Sequence, residues 1–94
     1  MRVDIYGIYD AVSHSWVIPL RFERNDDAAK RSFSFEIQQN KFLADNARDY
    51  ELYWIGYFDD EKGCLVTAAE ETDSDVYRVM IMRGDSVVLS KENN

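Results

Sequence analysis

The chain reads as an α+β domain in which one main helix packs on one face of a small antiparallel sheet of four to five strands. Three observations predict this: two segments that alternate with a period of two, a helix start after Asn25, and turn-forming runs of Asp and Gly between the elements. With 94 residues there is room for one core, since a chain this short buries only about two-thirds of its unfolded surface. Aromatic residues make up 14% of the sequence, and their large apolar area is enough to build that core. A single domain is expected over residues 1–90, with 91–94 as a frayed tail.

Val3, Ile5, Gly7 and Tyr9 alternate with Asp4, Tyr6, Ile8 and Asp10, which predicts a strand over residues 2–9. Residues 10–15 carry turn formers. Trp16 to Leu20 is short, apolar and interrupted by the only proline, Pro19, so a short edge strand or extended lead-in is expected. Asn25 can cap a helix whose first turn holds Asp26 and Asp27, where the helix dipole favours negative charge. Ala29, Phe33 and Ile37 then recur at four-residue spacing and define its buried face. Residues 32–37 also alternate as a strand would, and the cap with its flanking alanines decides for helix. Residues 38–48 should end the helix in a loop or a short second helical turn.

Tyr50 to Phe58 is the strongest strand signal, with five aromatic residues in nine. Strict alternation puts Tyr50, Leu52, Trp54 and Phe58 on one side and Tyr53, Ile55 and Tyr57 on the other, so both sides are apolar. One helix covers only one of them. Residues 59–63 form a turn ending in Gly63, and Cys64 to Thr67 returns as the partner strand. Ala68 to Asp75 is acidic and reads as a solvated loop. Val76 to Met82 reads as a strand, Arg83 to Asp85 as a turn, and Ser86 to Leu89 as a last strand.

The net charge of −7 is unevenly distributed. Residues 1–48 balance seven basic against seven acidic side chains, whereas residues 49–94 hold eleven acidic and four basic ones. A polyanion is repelled from that second half. The lone Cys64 rules out an internal disulfide and a CxxC motif, so a reducing cytoplasm is the expected setting. Met1 to Tyr6 lacks the apolar run of a signal peptide, and no stretch is long enough to span a bilayer. Secretion and membrane insertion are disfavoured.

No catalytic, cofactor-binding or metal-binding constellation emerges. His14 stands alone beside Ser13 and Ser15, whose side chains point away from it in an extended segment. Cys64 adjoins a turn on an apolar strand, the usual place of a buried, inert thiol. Asp59, Asp60 and Glu61 form a solvated turn, and Asp73-Ser74-Asp75 fails the calcium-loop spacing because Arg78 falls where glycine is required. The four glycines are isolated, which excludes a phosphate-cradling loop. The aromatic residues Tyr50, Tyr53, Trp54, Tyr57 and Phe58 are therefore the candidate interface, as core and subunit packing. The alternative is a base-stacking platform for single-stranded DNA, with Arg21, Arg24, Lys30, Arg31, Lys41 and Arg48 meeting the phosphates.

Three segments in order, Val3-Asp4-Ile5-Tyr6-Gly7-Ile8-Tyr9-Asp10, Asn25 to Phe33, and Tyr50 to Asp60, resemble the small nonstructural protein of gokushoviruses, single-stranded DNA phages of the microvirus family. The likeness covers residues 1–66, its third segment being the most specific. Gly7, where serine is frequent in the family, and Tyr57-Phe58 before the aspartates depart from the pattern, and residues 67–94 lie outside it. The resemblance implies a non-enzymatic protein made in the cytoplasm of the infected bacterium and absent from the virion. It further implies a role in the shift to single-stranded genome synthesis or packaging. The expected partners are copies of itself and phage replication or procapsid proteins, with a host protein as a further alternative.

Overall fold

The structure is a computed structural model that describes residues 1–87. Its sheet is antiparallel throughout. Strand β1 (Arg2–Asp10) forms a hairpin with β2 (Ser15–Glu23), closed by a turn in which Asp10 Oδ1 accepts the N–H groups of Val12 and Ser13. β2 is a full nine residues, longer than Trp16 to Leu20 alone suggested. It lies at the sheet edge, and Pro19 falls in the irregular stretch between the Tyr6–Arg21 and Ile8–Val17 pairs, where its missing N–H leaves no gap in the ladder.

Helix α1 (Asp26–Gln39) begins where the cap predicted, with Asn25 Oδ1 accepting the Ala28 N–H at 2.9 Å. Ala29, Phe33 and Ile37 are its buried face, so the segment that also alternated as a strand is helical. Asn40 ends α1 and caps a short second helix, α2 (Lys41–Asp45), and a 3-10 turn (Ala47–Asp49) leads into β3 (Tyr50–Asp59).

β3 is the centre of the sheet. It pairs with β1 along one edge, while the other edge is shared by β4 (Cys64–Thr67) beside its second half and β5 (Val79–Arg83) beside its first. The expected alternation along β3 breaks at a bulge: Tyr6 faces Trp54, Ile5 faces Gly56, and Ile55 is the extra residue. Gly56 sits at φ +150°, and a Cβ there would collide with the Val66 carbonyl oxygen. The bulge reverses the parity of the residues beyond it. Tyr57, opposite Asp4, joins the side of Trp54, and Phe58, opposite Val3, joins the side of Tyr53.

The C-terminal third departs most from expectation. Residues 68–75 are not a loop, because Ala68–Thr72 forms helix α3, capped by Thr67 Oγ1 accepting the Glu70 N–H at 3.1 Å. Thr67-x-x-Glu70 is the sequence signature of a capping box, and Ala68 and Ala69 provide the buried side that an acidic reading overlooked. The strand expected from Val76 starts only at Val79. Residues 84–87 are helical instead of a turn into a strand: Val87 turns into the core, and Gly84 packs so tightly on the Ala47 carbonyl that a side chain would clash. The expected strand end at Val88 and Leu89, the domain limit at residue 90 and the tail at 91–94 lie outside the described residues.

The core lies between α1 and one face of the sheet. Tyr6, Ile8, Phe33, Ile37, Leu52 and Val87 are its buried centre, with Tyr50 and Ala47 at one end and Val17, Leu43, Trp54, Ile81 and Met82 around it. No helix of the described residues is long and apolar enough to cross a membrane.

Candidate functional site

Register fixes which side chains share a face, because partners across an antiparallel pair point the same way. Asp4, Tyr6 and Ile8 face α1, so Val3, Ile5, Gly7 and Tyr9 face away from it. Phe22 lies opposite Ile5, Leu65 opposite Phe58, and Met80 opposite Tyr53; Leu20 crowds the space above Gly7. All four therefore sit on the face away from α1, and they are exposed at 60%, 66%, 44% and 44% in that order.

The middle of that face is an aromatic cluster. Tyr9, Trp16 and Tyr53 pack with ring centroids 5.1 to 6.4 Å apart in tilted and edge-on geometry. The Arg78 guanidinium stands over all three, 5.0 Å from Tyr9, 5.5 Å from Trp16 and 4.8 Å from Tyr53. Burial first, and then the hydrogen bond from its hydroxyl to Glu51, push the Tyr53 phenol above its ordinary range.

The opposite face, beneath the start of α1, is polar and tightly bonded. Asp4 Oδ1 accepts from Arg2 at 3.0 Å and from the Trp54 indole at 3.1 Å, and the Tyr6 hydroxyl donates to Asp26. Burial, reinforced by the Asp26 carboxylate, drives the Tyr6 phenol well above its normal value. Arg2 also reaches Glu71 and stacks 4.2 Å over the Tyr57 ring. Between these groups and β5 lies an open groove of about 690 Å³, walled by Asp26, Asp27 and Lys30 from α1 and by Trp54, Val79 and Ile81 from the sheet.

The five candidate interface residues thus have separate fates. Tyr50 is buried in the core, Tyr53 belongs to the aromatic cluster, Trp54 walls the groove, Tyr57 lies under Arg2, and Phe58 is half-buried on the outer face. No large apolar residue of β3 is fully exposed, because α1 covers Tyr50 and Leu52 on one face, Arg2 lies over Tyr57, and Arg78 closes over Tyr53 on the other. On the face away from α1 the exposed apolar side chains fall on the flanking strands, Leu20, Phe22, Leu65 and Met80, while Phe35 and Phe42 are exposed on the helices. The alternation of Leu20 and Phe22 with Arg21 and Glu23 was readable in the sequence; the arrival of Arg78 over the cluster was not.

The basic residues do not form one groove. Arg21 is ion-paired with Glu36 of α1, Lys41 lies 3.6 Å from Asp45, and Lys30 lines the groove. Arg24, Arg31 and Arg48 are exposed before α1, on α1 and in the 3-10 turn. His14 is exposed in the hairpin turn at φ 56°, its Nδ1 3.4 Å from the Tyr9 hydroxyl, while Ser13 and Ser15 bond each other. Cys64 is exposed, contrary to the buried thiol expected, because its pairing with Asp59 places it at the turn end of the β3–β4 hairpin. In that hairpin turn Asp59 Oδ1 accepts the Glu61 and Lys62 N–H groups, chiefly the latter holding its carboxyl below the usual range.

A protein-family model described as phage ORF5 protein matches residues 3–80 of the chain, from the start of β1 into β5. No curated protein and no solved structure matches it.

Proposed function

The chain belongs to the phage ORF5 protein family, and we propose that it is a non-enzymatic bacteriophage accessory protein that acts through protein contacts, the first of them with copies of itself. The observation that carries this reading is the sheet face away from α1, where Leu20, Phe22, Leu65 and Met80 stay exposed around the Arg78 cluster. Apolar side chains grouped on one sheet face cost free energy in water, and that cost is relieved when a second surface covers them. An isologous contact between two such faces is the simplest arrangement that covers both.

The resemblance of residues 1–66 to gokushovirus nonstructural proteins supports a finer role. It points to a protein of the infected bacterial cytoplasm, absent from the virion, that contacts replication or procapsid proteins during the switch to single-stranded genome synthesis or packaging. The single-stranded DNA alternative is weaker on geometry, since stacking platforms need cations beside them. Arg78 is the cation that stands over the ring cluster, and it covers the rings on which a base would stack, while Lys30, Arg31 and Lys41 belong to α1 and α2 on the other side of the sheet.

Sedimentation across the micromolar range tests the proposal. A concentration-dependent dimer or larger assembly is expected, and a strictly monomeric protein overturns self-association. Binding of a fluorescent oligonucleotide at low salt, weakening steeply as salt rises, would favour the DNA reading instead.

A further inference from the structure

The centre of the outer face carries a charge that an apolar contact alone would strand. Arg78 is exposed, its guanidinium rests against the rings of Tyr9, Trp16 and Tyr53, and it makes no side-chain hydrogen bond or ion pair among the described residues. A guanidinium stacked on aromatic faces keeps its N–H edge open to a carboxylate, in a position already fixed by the stack. Covering Leu20, Phe22, Leu65 and Met80 with a second surface takes that guanidinium out of water with them, and a charge buried without a partner opposes the contact. The surface that covers this face must therefore bring an acid to Arg78.

The chain carries such an acid on the same face. Of the charged residues in the five strands, register turns only Glu51 and Arg83 away from α1, Glu51 opposite Tyr9 and Arg83 opposite Glu51. Arg83 is ion-paired with Asp85 at 3.5 Å, whereas Glu51 accepts the Tyr53 hydroxyl at 2.9 Å and has no ion pair among the described residues. Tyr53 thus has Arg78 4.8 Å from its ring centre and Glu51 on its hydroxyl, opposite charges beside one side chain and not paired with each other. Two copies that each carry a net charge of −7 repel, so their contact needs an attraction specific to this face. In an isologous contact residue i meets j while j meets i, so a two-fold axis beside Tyr53 brings each Arg78 to the partner's Glu51 and completes both pairs at once.

Building on the self-association above, we propose that a second copy is recognised by this reciprocal charge pair, Arg78 of each chain with the partner's Glu51, inside an apolar rim of Leu20, Phe22, Leu65 and Met80. Sedimentation of charge-reversed chains tests it. Arg78→Glu and Glu51→Arg should each remain a folded monomer at concentrations where the wild type associates, because each sets like charges against one another across the axis. Mixed in equal amounts they should associate again, since one chain keeps Glu51, the other keeps Arg78, and the two substituted positions meet with opposite charges. A bridge within one chain cannot give that recovery.

Should a reversed charge prevent folding, Arg78→Met and Glu51→Gln keep the packing and remove the pair. Each should weaken association about tenfold or more, the double variant no further than either one, and the wild type should dissociate as salt rises. Reversed chains that associate as the wild type does, an equimolar mixture that stays monomeric, or losses that add in the double variant overturn the pairing and leave self-association standing. A wild type that never associates overturns both.

Discussion

The two faces of the sheet use the same kinds of residue to opposite ends. Beneath α1, each polar group that approaches the core is tied to a partner: Tyr6 to Asp26, Trp54 and Arg2 to Asp4, Arg21 to Glu36. On the other face the aromatic rings of Tyr9, Trp16 and Tyr53 are closed over by Arg78, and the apolar side chains around them are left in water. The α1 face is built to hold the fold. The outer face contributes less to folding and has more to gain from a partner.

That contrast makes stability respond very differently to substitutions on the two sides. Phe33→Ala, on the α1 side and only 1% exposed, should cost about 3–5 kcal/mol by denaturant titration, through lost burial and the cavity left behind. A loss under about 1 kcal/mol would mean that α1 is not the principal cover of the core. Tyr6→Phe comes next: it keeps the ring, removes the donor to Asp26, and should cost about 1–2 kcal/mol.

The same phenol sets a pH dependence. Its folded value lies above the ordinary 10.0, so its contribution is complete below pH 10 and is lost as pH climbs beyond that, where the unfolded chain ionises first. The wild type should therefore lose stability above pH 10 more steeply than Tyr6→Phe, and parallel profiles would contradict the assignment. Arg78→Ala on the outer face should cost only about 0.5–1 kcal/mol, with the near-ultraviolet signal of the ring cluster changed. Smallest of all, Phe22→Ser should change the stability of the monomer by no more than about 0.5 kcal/mol, since its ring is already 60% exposed.

The α1 face was largely legible in the sequence and the outer face was not, for a physical reason. Asn25, Asp26 and the spacing of Ala29, Phe33 and Ile37 are local signals, and they specified α1 together with its buried stripe. β1, β3 and β4 were equally plain. The outer face depends on long-range register. The bulge at Ile55 exchanges Tyr57 and Phe58 between faces, and only the pairing of β5 with the first half of β3 brings Arg78 over Tyr53. Strict alternation cannot see either event. α3 is a different case, since the Thr67–Glu70 box was present to be read and was outweighed by the acidic composition around it.

The claim that the outer face is where copies of the chain meet is tested most directly by sedimentation of three proteins side by side: the wild type, Phe22→Glu with Leu65→Glu, and Phe35→Glu. Phe35 is a fair control because it is also exposed, but it lies on α1. The wild type and Phe35→Glu should associate at the same micromolar concentrations, and the double variant should remain a folded monomer. Dissociation by Phe35→Glu, with the double variant still associated, would place the contact on the helix layer and contradict the account.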